Sequence, residues 1–313
     1  MVLKILVTGG AGFIGSHIVD AYVQRGHHVV IIDNLSTGRR SNINPGATFY
    51  ELDIRDFAKV HEVFRREKFD VVNHQAAQMD VRRSVTDPMF DASVNVVGVL
   101  SVLECCLKTG VSQAIFASSG GAIYGEQDYF PADEKHVTRP TSPYGVAKLA
   151  TENYLFYYKT VHSIESVSLR YANVYGPRQN PEGEAGVVAI FTSKMLRGDQ
   201  PVINGDGKQT RDYVFVEDVV QANVLALGYQ GSDVFNVGTG IETDVNQLFQ
   251  LLRTLTTSLA REVHGPAKQG EQTRSVLSAM KISGRLAWKP TVSLEQGLRR
   301  TVEHFRNATT HGD

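Results

Sequence analysis

The first half of the chain alternates short apolar, β-branched runs with longer stretches whose apolar residues recur every three or four positions. The short runs predict strands over Lys4–Thr8, His28–Ile32, Thr48–Leu52, Val71–His74, Gln113–Ser118, Glu165–Arg170 and, later in the chain, Asp233–Val237. The periodic stretches predict helices over Phe13–Arg25, Phe57–Lys68, Pro88–Thr109 and Pro143–Val161. Such alternation is typical of a parallel sheet covered by helices on both faces. We therefore predict an α/β fold with a Rossmann-type doubly wound parallel sheet, whose ligands bind beyond the carboxyl ends of the strands.

This rhythm breaks after Arg170, where Gly176–Gly186 (GPRQNPEGEAG) is predicted to be a loop. Further helices are predicted over Val187–Arg197, Val216–Gly228, Asn246–Thr256 and Leu294–Arg306, with irregular sequence between the last two. The pattern predicts a smaller C-terminal α/β substrate domain that is interleaved with the first. We expect residues 1–173 and 212–239 to form the sheet domain, and 174–211 and 240–313 the substrate domain.

Composition narrows the possible classes of protein. The 313 residues are 42% hydrophobic and 21% charged, which is usual for a globular protein. Lys and Arg total 32 against 33 Asp and Glu, so no net charge favours nucleic acid or an anionic membrane as a partner. The two cysteines, Cys105 and Cys106, are adjacent and cannot form a disulfide framework. No apolar run predicts a signal peptide or a membrane span, and no Cys/His spacing predicts a metal site, so a cytoplasmic protein is expected.

A glycine-rich loop follows the first strand and opens the first helix. Gly9, Gly12 and Gly15 are spaced by three, which allows a tight turn and a close approach of the backbone to a pyrophosphate at the helix N-terminus. Asp33 ends the second strand, 18 positions after Gly15, where a ribose-binding carboxylate is expected. Because an acid there bonds a 2′-hydroxyl and repels a 2′-phosphate, the pattern predicts NAD rather than NADP.

Three residues predict chemistry at the same edge of the sheet. Tyr144 and Lys148 are four positions apart behind Pro143, which suits a helix start, so their side chains should share one helical face. A lysine ammonium favours the phenolate and lowers the pKa of a tyrosine, which makes it a usable base. Ser119, or the neighbouring Ser118, ends a predicted strand and would orient the substrate hydroxyl. Neither serine has the Gly-x-Ser-x-Gly context of a hydrolase nucleophile.

Several motifs together carry a resemblance to a known family. They are TGGAGFIG, Asp33-Asn34-Leu35, SSGGAIYG, SPYGVAK, RYANVYGPRQ and TRDYVFVEDV, in this order along nearly the whole chain. The chain resembles the extended short-chain dehydrogenase/reductases, and among them most closely the short prokaryotic form of the UDP-glucose (UDP-galactose) 4-epimerases.

The resemblance implies a reaction and roles for individual residues. Tyr144 would remove the proton of the sugar 4-hydroxyl while C4 gives hydride to NAD, and the 4-keto sugar would rotate and take the hydride back on its other face. Lys148 would bind the nicotinamide ribose, and Ser119, with Ser118 as the second choice, would contact the substrate. The net reaction would be inversion at C4 of a UDP-hexose, with NAD as a resident cofactor.

The resemblance also implies binding residues and an oligomeric state. NAD would contact Gly9, Gly12, Phe13, Ile14, Gly15, Asp33, Asn34, Leu35, Ser36, Thr37, Gly38, Asp53, Ile54, Gln75, Ala76, Ala77, Asn95, Tyr144, Lys148 and Tyr171. The UDP-sugar would contact Ser119, Asn173, Val187, Val188, Arg211, Lys268, Arg274 and Ser275. The family commonly forms homodimers through the two long helices, and the apolar stripe in Val94–Leu107 would allow such an interface.

Departures from the family pattern leave alternatives open. The segment Lys268–Glu271 lacks the usual Arg-Gly-Asp order, so either Lys268 or Arg274 would hold the diphosphate. Ser275 stands where residue size limits the sugar 2-substituent, so UDP-N-acetylglucosamine and its galactose epimer are candidate substrates. Gly120-Gly121 replace the acidic pair of related dehydratases. A UDP-glucuronate 4-epimerase, a reductase, a dehydratase and a non-catalytic NAD-binding sensor remain as alternatives.

Overall fold

The computed structural model describes residues 1–182, 186–267 and 272–311, and they form two compact units. The first unit comprises Met1–Ile123, Pro140–Arg170 and Val220–Phe235. The second comprises Tyr124–Arg139, Tyr171–Val219 and Asn236–Asp313, and is thus interleaved with the first along the chain. These boundaries differ from the predicted ones most clearly at Tyr124–Arg139 and at 212–219, which belong to the second unit.

Thirteen strands are present in the described residues. They are β1 (Lys4–Thr8), β2 (His28–Asp33), β3 (Thr48–Glu51), β4 (Val71–His74), β5 (Gln113–Ser119), β6 (Glu165–Tyr171), β7 (Asn173–Tyr175), β8 (Ile203–Asn204), β9 (Thr210–Phe215), β10 (Asp233–Val237), β11 (Glu242–Asp244), β12 (His264–Gly265) and β13 (Arg274–Ser275).

The α-helices run between these strands. They are α1 (Phe13–Gln24), α2 (Phe57–Glu67), α3 (Val81–Thr86), α4 (Pro88–Ala92), α5 (Gly98–Thr109), α6 (Gly120–Ile123), α7 (Pro143–His162), α8 (Val187–Arg197), α9 (Val216–Ala226), α10 (Val245–Thr256), α11 (Met280–Leu286) and α12 (Leu294–His311). A single π-helical turn, Ser93–Val97, joins α4 to α5.

The first unit is built on a seven-stranded sheet with the order β10-β6-β5-β4-β1-β2-β3. The pairs β1/β2, β1/β4, β2/β3 and β4/β5 are all parallel. The inner strands are buried because their side chains face helices on both sides; Ile5, Leu6 and Val7 of β1 are all 0% exposed. The chain therefore has the Rossmann-type fold that the strand–helix alternation predicts.

One helical stretch, Pro88–Thr109, is long and apolar enough to cross a membrane by length and composition. One face of it instead contributes to the core, since Val99, Val102, Leu103, Cys105 and Cys106 are all buried against the sheet and α2. A buried core helix passes the same hydropathy test as a membrane span, so the stretch is explained by packing within the first unit.

The second unit contains a four-stranded sheet centred on β9. β11 pairs antiparallel and β13 pairs parallel with the first half of β9, and β7 pairs parallel with its second half. Helices α8, α10 and α12 pack on one another, and the buried rings of Phe191 and Phe249 meet edge to face. The two-stranded pairing of β8 with β12 completes the unit.

Candidate active site

The glycine loop has the geometry that its spacing predicts. Gly9 has a φ of +70°, and a Cβ there would lie 2.7 Å from the backbone nitrogen of Ala76. A Cβ on Gly15 would collide with the carbonyl oxygen of Gly9. Gly12 begins α1 without a side-chain cap or an acidic residue in the first turn, which leaves the N–H groups of Phe13 and Ile14 free for an anion. The loop therefore fits a dinucleotide pyrophosphate, as expected.

Asp33 is held beside this loop at the end of β2. Its carboxylate accepts hydrogen bonds from the backbone N–H groups of Ala11 at 3.0 Å and Leu35 at 2.8 Å. Burial raises the pKa of Asp33, while these two bonds oppose the rise. A Cβ on Gly38 would lie 2.9 Å from Asp33 Oδ1, so glycine at this predicted position lets the loop lie close to the carboxylate. Ser36 and Thr37 lie exposed in the same loop.

The residues predicted to lie beside the adenine come from two loops that are joined by hydrogen bonds. Asn34 Nδ2 donates to Asp53 at 3.0 Å, and Arg55 binds the same carboxylate through two nitrogens at 2.9 and 2.7 Å. The hydrogen bonds from Arg55 lower the pKa of Asp53 to about 2. Ile54 is buried against Gly98 of α5, where a Cβ would lie 2.7 Å from its Cδ1.

The loop after β4 brings further predicted residues to this edge. Ala76 N–H donates to Thr8 Oγ1 at 3.3 Å, beside Gly9, and Gln75 Nε2 donates to Asn73 Oδ1 at 2.6 Å. Ala77 follows them, half-buried. These residues share the carboxyl edge of the sheet with the glycine loop, since β4 pairs with β1.

Asn95 lies inside the π-helical turn and is 2% exposed. Its Nδ2 donates to the Gln78 carbonyl at 2.8 Å and to Asp91 Oδ1 at 2.9 Å, and its Oδ1 accepts from the Gln78 N–H at 2.9 Å. Both amide hydrogens are thus used within the chain. Single π-helical turns are frequent at functional sites.

The two candidate serines have different surroundings because successive strand residues point to opposite faces. Ser118 is buried and donates to Glu152 Oε1 at 2.6 Å. Glu152 in turn is bound by Arg170 through Nε at 2.9 Å and Nη2 at 2.6 Å. Ser119 is half-buried at the end of β5. Ser118 therefore belongs to an internal ion-pair network, and Ser119 is the serine that we retain as the catalytic candidate.

Tyr144 and Lys148 lie on the first turns of α7, which Ser142 caps by accepting from the Gly145 N–H at 3.2 Å. A Cβ on Gly145 would lie 2.5 Å from the Ala122 carbonyl oxygen, so α7 starts against the turn that follows Ser119. The buried Lys148 Nζ donates to the Ala117 carbonyl at 2.8 Å and lies 5.7 Å from the centre of the Tyr144 ring. Such a cation favours the charged form of a phenol.

Apart from Ser119, the predicted UDP-sugar residues that the structure describes belong to the second unit, and several are neighbours. Arg211 of β9 pairs directly with Ser275 of β13, which is 3% exposed. Asn173 pairs with Tyr213 further along β9. Arg274 is held by Glu242 at 3.0 and 3.1 Å, and its guanidinium lies 3.6 Å from the centre of the Phe130 ring.

The remaining predicted residues are separate from this strand pair. Val187 and Val188 form the first turn of α8, and Tyr171 is the buried last residue of β6. Lys268, the alternative diphosphate ligand, lies outside the described residues.

Several buried polar residues near the predicted positions were given no role from the sequence, among them Asp212. This carboxylate accepts from the N–H and hydroxyl of Thr239 and the N–H groups of Gly240 and Leu277, at 2.6 to 3.3 Å. It thereby joins β9 to the turn before β11 and to the segment after β13. Its place next to Arg211 in the sequence was the available signal. Asp91, Gln78 and Glu152 lie in none of the quoted motifs, and Arg170, which opens RYANVYGPRQ, was assigned no role from the sequence.

Comparison with known proteins agrees with this geometry. Residues 5–238 match the NAD dependent epimerase/dehydratase family. A crystal structure of UDP-glucose 4-epimerase with UDP-glucose from Thermotoga maritima is 49% identical, with a TM-score of 0.97 over 98% of this chain and 100% of that one. The Thermus thermophilus UDP-glucose 4-epimerase in complex with NAD is 44% identical, with a TM-score of 0.94 over the same shares.

A third structure extends the range of sugars among the relatives. The UDP-N-acetylglucosamine 4-epimerase from Methanobrevibacter ruminantium, in complex with UDP-N-acetylmuramic acid, is 34% identical with a TM-score of 0.93. The alignment covers 98% of this chain and 99% of that chain. The chain belongs to the NAD-dependent epimerase/dehydratase family, and its glycine loop, Asp33 and the Asn34–Asp53 pair fit that cofactor.

Proposed function

We propose that the protein is an NAD-dependent UDP-hexose 4-epimerase that interconverts UDP-galactose and UDP-glucose. The first unit would bind NAD and the second the UDP-sugar. The observation that carries the proposal is the pairing of Tyr144 with a buried Lys148 ammonium, 5.7 Å from its ring, beside the turn after Ser119. Likeness over nearly the full chain to two UDP-glucose 4-epimerases supports the choice of reaction.

Each residue would have a distinct task. Tyr144, as phenolate, takes the proton from the sugar 4-hydroxyl and later returns it. Lys148 stabilises that phenolate, and Ser119 orients the hydroxyl by hydrogen bonding. Bound NAD supplies a hydride acceptor and donor for C4. Arg211 suits the diphosphate because a planar guanidinium bonds two oxygens at once.

The alternative functions in the same family agree less well with this site. A dehydratase of the related kind uses an acidic pair after its serine or threonine, and here Gly120 and Gly121 fill those positions. A non-catalytic NAD sensor has no need for Ser119, Tyr144 and Lys148 together.

Proton NMR of UDP-galactose with the purified protein, and no added cofactor, tests the proposal. Appearance of UDP-glucose is the expected result, because the cofactor is regenerated in each turnover and should stay bound. No conversion, with and without added NAD, would refute a UDP-glucose epimerase. UDP-glucuronate and UDP-N-acetylglucosamine would then identify a related epimerase.

A second substrate pair, UDP-N-acetylglucosamine and UDP-N-acetylgalactosamine, is favoured by the small side chain of Ser275. This residue is buried and directly paired with Arg211, so a larger group there would occupy space beside the proposed diphosphate ligand. Ser275→Tyr should reduce turnover of the N-acetyl sugars at least about tenfold more than that of UDP-galactose. Ser275→Ala is the matched control. Equal losses on both sugars would contradict the assignment.

We also propose a homodimer and a cytoplasmic location. Apolar side chains on α7 are exposed in the single chain, notably Val146, Phe156, Tyr157 and Val161, at 47% to 73%. A second copy burying this face through α7 and the Pro88–Thr109 stretch would remove them from water. Both cysteines are free, which suits a reducing compartment. Sedimentation equilibrium tests the dimer, and a monomer at micromolar concentration would contradict it.

A further inference from the structure

A layer of polar side chains replaces the apolar core at the carboxyl ends of β1, β4 and β5. Thr8 pairs with His74 across β1 and β4, and its hydroxyl lies 2.9 Å from His74 Nδ1. His74 pairs in turn with Phe116 of β5, whose ring lies 4.8 Å from Lys148 Nζ. The Lys148 ammonium is thus enclosed within this layer and is 3% exposed.

Apart from Asp91, the buried titratable groups around Lys148 either face an opposite charge or are neutral. Glu152, one turn further along α7, is already bound by Nε and Nη2 along one edge of the Arg170 guanidinium. Burial lowers the pKa of His74 to about 3, so its ring is neutral. The remaining buried charge is Asp91 of α4, which packs against α7 and is 1% exposed. Other charged or titratable groups on α7 and the elements packed against it include Tyr144, then Asp80, Arg82 and Arg83 near the surface on and before α3, and Glu104, Cys105, Cys106 and Lys108 of α5.

The hydrogen bonds of Asp91 do not require a charge. Oδ1 accepts from Gln78 Nε2 and from Asn95 Nδ2, both at 2.9 Å. Oδ2 is buried and has no hydrogen-bond partner among the described residues. An asparagine at this position would keep both hydrogen bonds through its amide oxygen. Its NH₂ group would replace Oδ2, which accepts no hydrogen bond from the described residues. A buried carboxylate is costly unless a cation balances it, so the negative charge itself needs an explanation.

We propose that Asp91 is a positioning residue whose carboxylate is the counter-charge that keeps the buried Lys148 protonated. With Glu152 neutralised by Arg170, Lys148 and Asp91 make the layer neutral overall. The electrostatic balance agrees: burial lowers the pKa of Lys148 to about 8, and Asp91 followed by Glu152 opposes that fall. Burial raises the pKa of Asp91, and Lys148 opposes that rise. Only the catalytic consequence of this inference rests on the proposed function.

The pKa of Lys148 is lower in the folded than in the unfolded chain. This difference sets the direction in which folding stability changes with pH. Between the two values the unfolded chain binds more protons, so this group makes stability rise with pH. Without the Asp91 charge the folded pKa falls further, and the rise begins at lower pH. Between about pH 6.5 and 9.5, Asp91→Asn should therefore gain stability relative to the parent as pH increases.

Denaturant unfolding of the full chain across this pH range is the test. The matched control is Asp87→Asn, the same change four residues earlier, at the exposed cap of α4 where asparagine is also a good cap. We expect Asp91→Asn to gain about 1.4 kcal/mol across the range, for about a tenfold change in the Lys148 ionisation constant. Asp87→Asn should show no such gain. Asp91→Asn should also show no gain in a chain that carries Lys148→Met, because the titrating ammonium is then absent.

A pH-independent difference between Asp91→Asn and the parent would overturn the inference. If Asp91→Asn does not fold, the double variant Asp91→Asn/Lys148→Met decides: recovery of folding supports the counter-charge, and its failure refutes it. A second readout is the pH dependence of kcat for UDP-galactose, whose alkaline limb should move about one unit lower in Asp91→Asn. The unfolding measurement needs no substrate, so it stands even if the parent protein does not turn over UDP-galactose.

Discussion

Replacement of Arg170 by methionine should strongly destabilise the first unit. The guanidinium binds Glu152 at 2.9 and 2.6 Å, and the two side chains are each 7% exposed. Methionine keeps much of the volume and removes the charge, so Glu152 is left as a buried carboxylate that accepts a hydrogen bond from Ser118 but faces no guanidinium. Removal of one partner from such a pair costs about 3–5 kcal/mol.

This magnitude translates into a measurable melting shift. For a chain of 313 residues the entropy of unfolding is about 0.7 kcal/mol/K, so Tm should fall by about 5–8 °C. Calorimetry and urea unfolding at neutral pH measure both quantities. The control is Arg299→Met, which breaks an exposed pair with Glu295 at 3.2 Å and should cost no more than about 0.5 kcal/mol.

A second variant separates the lost charge from lost packing. Arg170→Met combined with Glu152→Gln removes both charges and retains an acceptor for Ser118, so it should recover most of the stability. A loss below about 1 kcal/mol in Arg170→Met, or no recovery in the double variant, would refute the idea that an unpaired carboxylate causes the damage.

Two further predictions concern the serines and the glycine loop. Ser119→Ala should lower kcat about 100-fold with little change in Tm, whereas Ser118→Ala should cost about 1.5–3 kcal/mol of stability because Ser118 bonds a buried carboxylate; the reverse pattern in kinetics and melting would contradict the assignment. Gly15→Ala should cost about 1–3 kcal/mol of stability, because its Cβ meets the Gly9 carbonyl. Denaturation of the purified variant should then release no NAD. Gly284→Ala, in α11 with open space around it, should stabilise by about 0.5–1 kcal/mol, and equal behaviour of the two variants would contradict the packing argument.

The periodic patterns predicted the first unit well because its inner strands are buried on both faces. Lys4–Thr8 and Val71–His74 match the predicted bounds, and in the second unit α8 matches Val187–Arg197. The Pro88–Thr109 helix is present over its full length, but the π-helical turn inside it leaves no trace in hydrophobic periodicity.

Short, polar elements escaped prediction. β9, β13 and α3 each contain charged residues or too few positions to show a period, and α11 lies in what was expected to be irregular sequence. Their conformations depend on pairing with residues distant along the chain.

The candidate site likewise contains residues that were predicted from the sequence and others that only the structure revealed. Motif spacing located the glycine loop, Asp33, Tyr144 and Lys148, whose roles depend on local turns and a single helix face. It did not reveal that Glu242 and Phe130 hold Arg274, since both are distant in sequence. The buried partners of Ser118 likewise came only from the structure, because a hydrogen bond to Glu152 depends on how α7 packs against β5.

Isotope retention at the sugar C4 tests the central claim most directly. UDP-galactose deuterated at C4 is incubated with the purified protein in ordinary water and analysed by NMR and mass spectrometry, with Tyr144→Phe alongside. The account predicts UDP-glucose that keeps the deuterium at C4, and a Tyr144→Phe turnover lower by at least about 100-fold. Product that has exchanged the C4 deuterium for solvent hydrogen, or full activity in Tyr144→Phe, would contradict it.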